Sequence, residues 1–273
     1  MRRVTRFLPK GLTVYLVLYL VFLYGPILLI PLFSFNNAAA TSFPLAGFTT
    51  KWYASLASNS VLMDAAWNSL VVGISVSLLS TLFGIAAARS VTRYEFIGKT
   101  PIFSLIMAPL FLPEIIVAIS LLMIVLATGL GLSLFTVVLG QSVFCIPYSV
   151  SVLVSGFEGF DRSLEEASHD LGETSFGTFR RVTLPVVAPA ILSSLLVSFT
   201  ISLDEFILAF FLSGTEPTLP VYIWGQLRFA AKLPAVLALG SLMILASIFL
   251  VTLAEVFRRR SEARNMDQGF MHV

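Results

Sequence analysis

Glu114, Asp204 and Glu205 are carboxylates set inside runs that are otherwise apolar. An ionised carboxylate at the centre of a bilayer costs at least about 2.5–3.5 kcal/mol on insertion scales, so each needs a cavity, a partner or water. No Lys or Arg stands in the same runs to neutralise them. The chemistry open to uncompensated negative charge along a pathway is attraction of a cation. Each acid also has a second reading. Glu114 follows Pro113 and suits a cap at a helix break, and Asp204 and Glu205 suit an interfacial position within reach of water.

Other chemistry is excluded on the residues. Gly98-Lys99-Thr100 has the ending of a phosphate-binding loop, but that pattern requires Gly where Arg93 stands, and no strand precedes it. His169 has no acidic or cysteine partner at useful spacing outside its own segment. Cys145 is the single cysteine and lies in an apolar run, so it forms no internal disulfide and reads as a small packing residue. No nucleophile–base or metal-ligating set converges. The expectation is a chain that is not an enzyme and binds no metal or cofactor.

A third group of residues is built for contact. The segment 165–185, EEASHDLGETSFGTFRRVTLP, is polar and charged between two long hydrophobic runs. Asp161 or Ser163 can cap a short helix whose first turn holds Glu165 and Glu166, where negative charge suits the helix N-terminus. Ala167 and Ser168 leave room for a partner surface. Gly172 ends it by permitting positive φ. A second short helix over about 174–182 leads to Pro185, which opens the next apolar run. His169 belongs to the same contact surface.

The elements that position these residues follow from composition. Of 273 residues, 57% are hydrophobic and only 12% charged, with a mean hydropathy of +0.93, and soluble domains carry about a quarter charged residues. Lipid is the solvent for most of the chain. A crossing needs about 20 mostly apolar residues, which predicts six helices over 12–35, 65–88, 101–127, 134–157, 186–212 and 234–257. Gly129 and Gly131 supply the turn that divides the uncharged stretch from Ile115 to Phe157. The first run, after Arg2, Arg3 and Arg6, resembles a secretion signal but is too long for one. Segments 1–11 and 258–273 flank a single transmembrane domain, 12–257.

Basic residues orient it. Arg2, Arg3, Arg6 and Lys10, then Arg89, Arg93 and Lys99, then Arg162, Arg180 and Arg181, then Arg258, Arg259, Arg260 and Arg264 all fall on one side. Only Lys51, Arg228 and Lys232 fall on the other. Both termini and the polar segment are therefore expected in the cytoplasm. Glu114 and Asp204 then lie in the outer half of the membrane, about 20 and 27 Å along their spans at 1.5 Å per residue. Outside stand 36–64, with a possible cap at Thr50 and interfacial Trp52 and Tyr53, and 213–233, an interfacial or re-entrant helix that could meet a solute-binding protein. Pro26, Pro31, Pro109, Pro113, Pro147 and Pro189 interrupt the spans, which is tolerable where neighbouring helices or a cavity satisfy the freed backbone. Gly73, Gly84 with Ala86–Ala88, and Ser193-Ser194 permit close helix approach.

The polar segment resembles the cytoplasmic EAA loop of permease subunits from bacterial ABC importers. Glu166-Ala167 precedes Gly172, and after nine intervening residues comes Val182-Thr183-Leu184-Pro185. Ser168 stands where a second Ala is usual, and Val182 where Ile is usual. Pro109-Leu110 with Pro113-Glu114-Ile115, Phe199-Thr200 with Ser202-Leu203-Asp204-Glu205-Phe206, and Thr218-Leu219-Pro220-Val221 resemble the spermidine/putrescine branch. Trp52-Tyr53, Asn68-Ser69 and Tyr94 with Gly98-Lys99 fit it too. Where that branch commonly shows Asp-Asp, this chain has Asp204-Glu205.

The resemblance implies an all-α, type I ABC importer permease-like bundle in the bacterial inner membrane. It implies an EAA coupling loop over 159–185 with Glu165, Glu166, Ala167, Ser168, Asp170, Leu171 and Gly172 as the ATPase-coupling residues, and Asp204, Glu205 and Glu114 as substrate-pathway candidates. The implied partners are two copies of a cytoplasmic ABC ATPase, which would bind ATP and Mg, a second homologous permease (a heterodimer, or a homodimer), a periplasmic solute-binding protein and lipid. Nucleic acid is not among them. Alternatives are the same architecture for an amino-acid derivative, opine-like compound, iron or an anion, an ion-coupled secondary transporter, or a membrane-embedded enzyme.

Overall fold

The computed structural model describes residues 10–38, 43–245 and 248. Among them there is no strand, only a bridge between Asn36 and Phe48. The chain divides into two compact units, one formed by Met1–Ser60 with Gly225–Val273 and one by Val61–Trp224.

The terminal unit contains α1 (Lys10–Ser34) and α2 (Lys51–Ala57). α1 exposes apolar side chains all round, as a helix solvated by lipid does. Its end is fixed to α2: Ser34 Oγ and Tyr53 OH share a hydrogen bond of 2.6 Å, and Trp52 Nε1 donates to the Asn36 carbonyl at 2.8 Å. Thr50 occupies the cap position of α2 but makes no side-chain cap bond.

The central unit holds α3 (Ser60–Arg93), α4 (Lys99–Met107), α5 (Glu114–Ala127), α6 (Leu134–Glu158), α7 (Ser163–Asp170), α8 (Ser175–Thr178), α9 (Leu184–Asp204) and α10 (Ile207–Leu212), and the unit boundary falls within α11 (Leu219–Leu227). Four helices are long and apolar enough to cross a membrane, Gly11–Ser34, Ser60–Arg93, Leu134–Glu158 and Ser175–Asp204, and a bent pair makes up to five. A further apolar helix, α12 (Ala230–Leu245), begins the last expected span. The rest of 234–257, apart from Ile248, lies outside the described residues, as do Arg2, Arg3, Arg6 and the tail 258–273.

Two expected spans are not continuous. The stretch 101–127 is α4 with a 3₁₀ turn (Ala108–Phe111), then α5 at 108° to it. Pro109 and Pro113 remove amide donors and crowd the preceding turn, so the helix cannot run through. The stretch 186–212 ends at Asp204 and resumes at Ile207. In the opposite sense, the short helix expected over 174–182 does not stop before the next span. It runs through a π turn (Phe179–Thr183) directly into α9. Pro185 has no amide for the carbonyl four residues back, and the wider turn accommodates that loss.

With lipid outside, helix association rests on close packing and interhelical hydrogen bonds rather than on expulsion of water. Val72 and Val76 of α3, Val117, Ala118 and Val125 of α5, Val137 and Cys145 of α6, and Leu208, Ala209 and Leu212 of α10 form one core; Ala88, Leu153, Phe157, Phe160 and Val187 form another. Between them runs a seam of hydroxyls. Thr81 Oγ1 meets Ser194 Oγ at 3.1 Å, and Ser149 Oγ meets Ser198 Oγ at 2.8 Å. At Gly84 the α3 backbone comes so near α6 that a Cβ would stand 2.9 Å from both Leu153 Cδ1 and Ser149 Cβ.

Gly84→Val should therefore cost about 1–3 kcal/mol of overpacking, whereas a side chain at Gly131 meets nothing within 4 Å. Thermal unfolding in detergent is expected to show a lowered midpoint for Gly84→Val and an unchanged one for Gly131→Val.

Candidate functional site

The polar segment folds as an elbow, α7 and α8 joined at Gly172. Asp161 Oδ1 accepts from the Ser163 amide at 2.9 Å, at the start of α7. That amide, and then the Ser163 hydroxyl, hold the Asp161 carboxyl below its ordinary value. Gly172 ends the turn with φ +84°, where an L side chain would be strained, and nothing stands within 4 Å of its Cβ position. Its amide donates to the His169 carbonyl at 2.9 Å. The Thr174 side chain then accepts from Gly177 N at 3.1 Å and caps α8. Ser168 Oγ and Thr178 Oγ1, 2.9 Å apart, brace one arm of the elbow against the other.

Glu165 and Glu166, neighbours in sequence, do different work. Glu165 turns inward, where Arg93 Nε lies 3.0 Å from its Oε2 and Thr183 Oγ1 donates to its Oε1 at 2.6 Å. The two ionic side chains are only 10% and 12% exposed. Arg93, the last residue of α3, also donates to the carbonyls of Phe157 and Phe160 at 3.2 and 3.1 Å and lies over the Phe160 ring. The Phe157 carbonyl lies in the last turn of α6 and that of Phe160 just beyond it, where helix carbonyls lack partners and the dipole favours a cation. One guanidinium thus ties α3, α6 and α7 together. Glu166 instead is exposed and pairs with Arg162 one turn earlier.

The outer surface of the elbow is formed by Glu166, Ala167, His169, Asp170, Leu171 and Gly172, with Leu164, Leu171 and Phe176 as large exposed apolar side chains. His169 Nδ1 meets the Glu173 carbonyl at 3.1 Å, and Glu173 pairs with Arg181 at 2.8 Å. Thr183 stands in the quoted motif with no role legible for its side chain, and nothing in the sequence singles out Phe176. Arg93 reads there as one more loop charge, and only its position at two helix ends reveals the tie.

The three embedded acids also separate. Glu205 is 5% exposed, and both its oxygens are engaged by amides of α10 and by Gln141. Glu114 begins α5, half-buried, and its carboxyl interacts with that of Glu205. Asp204 is exposed and makes no hydrogen bond or ion pair among the described residues. No group of His, Cys, Asp and Glu that could hold a metal occurs among the described residues.

Comparison with known proteins places this geometry. Residues 80–263 match the family described as the inner membrane component of binding-protein-dependent transport systems. The spermidine/putrescine transport system permease protein PotC of Haemophilus influenzae is 33% identical over 241 residues, covering 88% of this chain and 93% of that protein. A probable molybdenum ABC transporter permease protein of Haloferax volcanii is 36% identical over 234 residues, covering 82% of each. The fold is similar to a chain in the crystal structure of a bacterial ABC transporter involved in import of the acidic polysaccharide alginate, with a TM-score of 0.73, 16% identity, and 93% of this chain and 99% of that chain covered.

The inward and outward glutamates should respond differently to loss of charge. Removing one partner of a buried pair costs about 3 kcal/mol or more, whereas an exposed pair one turn apart is worth about 0.3–0.5 kcal/mol. Glu165→Gln is expected to lower the unfolding midpoint and expose the elbow to protease. Glu166→Gln should do neither.

Proposed function

The chain belongs to the family of binding-protein-dependent transport system inner membrane components, and we propose that it is the permease through which an ATP-driven importer brings spermidine or putrescine into the cell. Family membership makes it a multi-pass inner-membrane transport protein rather than an enzyme. The observation that carries the mechanism is the elbow. α7, the left-handed Gly172 and α8 form a knob that is braced within itself, tied to α3 and α6 through Arg93, and continuous with α9. A push on such a knob moves spans rather than bending a loop.

On this reading the chain crosses the membrane six times with both ends and the elbow in the cytoplasm, as the distribution of Lys and Arg favours. Two copies of an ABC ATPase bind Mg and ATP, and one of them grips this knob through Glu166, Ala167, Asp170, Leu171 and Gly172. Glu165 and Ser168 hold it rigid. A second, non-identical permease completes the pathway, and a periplasmic binding protein delivers the solute to the outer face. Closure of the ATPases opens the cavity outward, and hydrolysis resets it inward. The spermidine/putrescine permease relative and the uncompensated acids of the pathway together support a polyamine. The similarity to a probable molybdenum permease supports a second reading, the same machine carrying an oxyanion.

Two measurements test this. Cells lacking the chain should lose uptake of labelled spermidine or putrescine and keep uptake of molybdate; the reverse pattern selects the second reading. Gly172→Val places a β-branched side chain at φ +84°, a conformation that costs roughly 1–2 kcal/mol for an L residue. The variant should insert normally, and its ATP hydrolysis should no longer drive transport, with uptake falling at least tenfold. Normal uptake in that variant would remove the elbow from the mechanism.

A further inference from the structure

α9 stops at Asp204, and the backbone at Glu205 is extended, with φ −70° and ψ 114°. A helix that stops inside a bundle leaves amides unsatisfied at the start of the next segment. Here Glu205 supplies the acceptors: Leu208 N donates to Oε1 at 2.9 Å and Ala209 N to Oε2 at 3.1 Å. Gln141 of α6, itself fully buried, donates from Nε2 to the same Oε2 at 3.0 Å. Its carbonyl oxygen accepts from Ser202 Oγ in the last turn of α9. One amide side chain therefore holds both lips of the break, Ser202 before it and Glu205 after it.

The residue between those two anchors is Asp204. Its carboxylate is exposed and has no partner among the described residues. A free carboxylate cannot rest against hydrocarbon, so its surroundings must be water, a cation or a partner chain. Glu205 cannot take that role while the break persists. Drawing it toward a solute would strip two buried amides of their acceptors and Gln141 of its own.

We propose that Gln141, Ser202 and Glu205 are positioning residues: they fix the break in the fifth apolar run so that, of its two adjacent acids, the Asp204 carboxylate is the one presented to the transport pathway, where a cationic solute meets it. The solute's charge rests on the polyamine reading above, whereas the presentation of Asp204 does not. Glu205 is thus removed from the solute-contacting acids.

The test has one arm independent of solute. In a Cys145→Ala background, Asp204→Cys in the assembled transporter is treated with a small, charged, membrane-impermeant thiol reagent. Rapid modification is expected, and Gln141→Leu on top should change its rate at least threefold. Absence of modification, or a rate indifferent to Gln141, overturns the proposal. In the uptake arm, Asp204→Asn should raise KM for spermidine at least tenfold with kcat and membrane abundance little changed. Gln141→Leu and Ser202→Ala should each raise KM about threefold or more, and add nothing in the Asp204→Asn background. Effects on KM that persist undiminished in that background would mean Gln141 and Ser202 act independently of Asp204, against the proposal. If the wild-type transporter moves no polyamine, the solute reading falls and the labelling arm still decides the positioning role.

Discussion

A helix that ends away from water must find partners for backbone groups that its own turns no longer satisfy. Both parts of the central unit with a functional reading are answers to that constraint. At the end of α6, the carbonyls of Phe157 and Phe160 take the Arg93 guanidinium. At the start of α10, the amides of Leu208 and Ala209 take the Glu205 carboxylate. In each case the charge comes with a second engagement, Glu165 for Arg93 and Gln141 for Glu205. Each closing charge is opposite in sign to the dipole at the helix end it closes.

These closures explain how local movement could become global. Tying an elbow to two spans by one ion makes the knob and those spans a single mechanical body, and the uninterrupted course from α8 through the π turn into α9 adds a covalent lever. A π turn is a place where a helix adjusts without breaking. Further along, at Glu205, the run changes from helix to extended backbone and back.

Much of this was legible in the sequence because its signals are local. Gly172 announces a left-handed turn and has one, and the prolines at 109 and 113 mark the break in 101–127; Arg162, not Asp161 or Ser163, holds the cap position of α7, and Asp161 accepts from the Ser163 amide just before it. What escaped is the partition of adjacent acids. Glu165 and Glu166 lie about 100° apart around a helix, enough to bury one and expose the other, yet identical in composition. Asp204 and Glu205 differ likewise, and only the positions of Gln141, Leu208 and Ala209 reveal which of them is consumed in holding the chain. Such partners are separated from the acid by as many as 64 residues, and no periodicity points to them.

That partition bears on the choice between solutes. If Glu205 is committed to the backbone, the free negative charge that this chain offers a solute in the fifth span reduces to Asp204. Two unit charges 4 Å apart interact by about 1 kcal/mol in water and about 4 kcal/mol at an effective dielectric of 20. A single carboxylate is therefore enough to discourage an oxyanion at this point, but it neutralises only one ammonium group of a polyamine. The remaining positive charges must be met by Glu114, by the solute's own hydration, or by acids on the opposing permease. On the polyamine reading, recognition is shared across the pathway. A partner with its own unpaired acid at the matching depth would complete a site that neither permease could form alone.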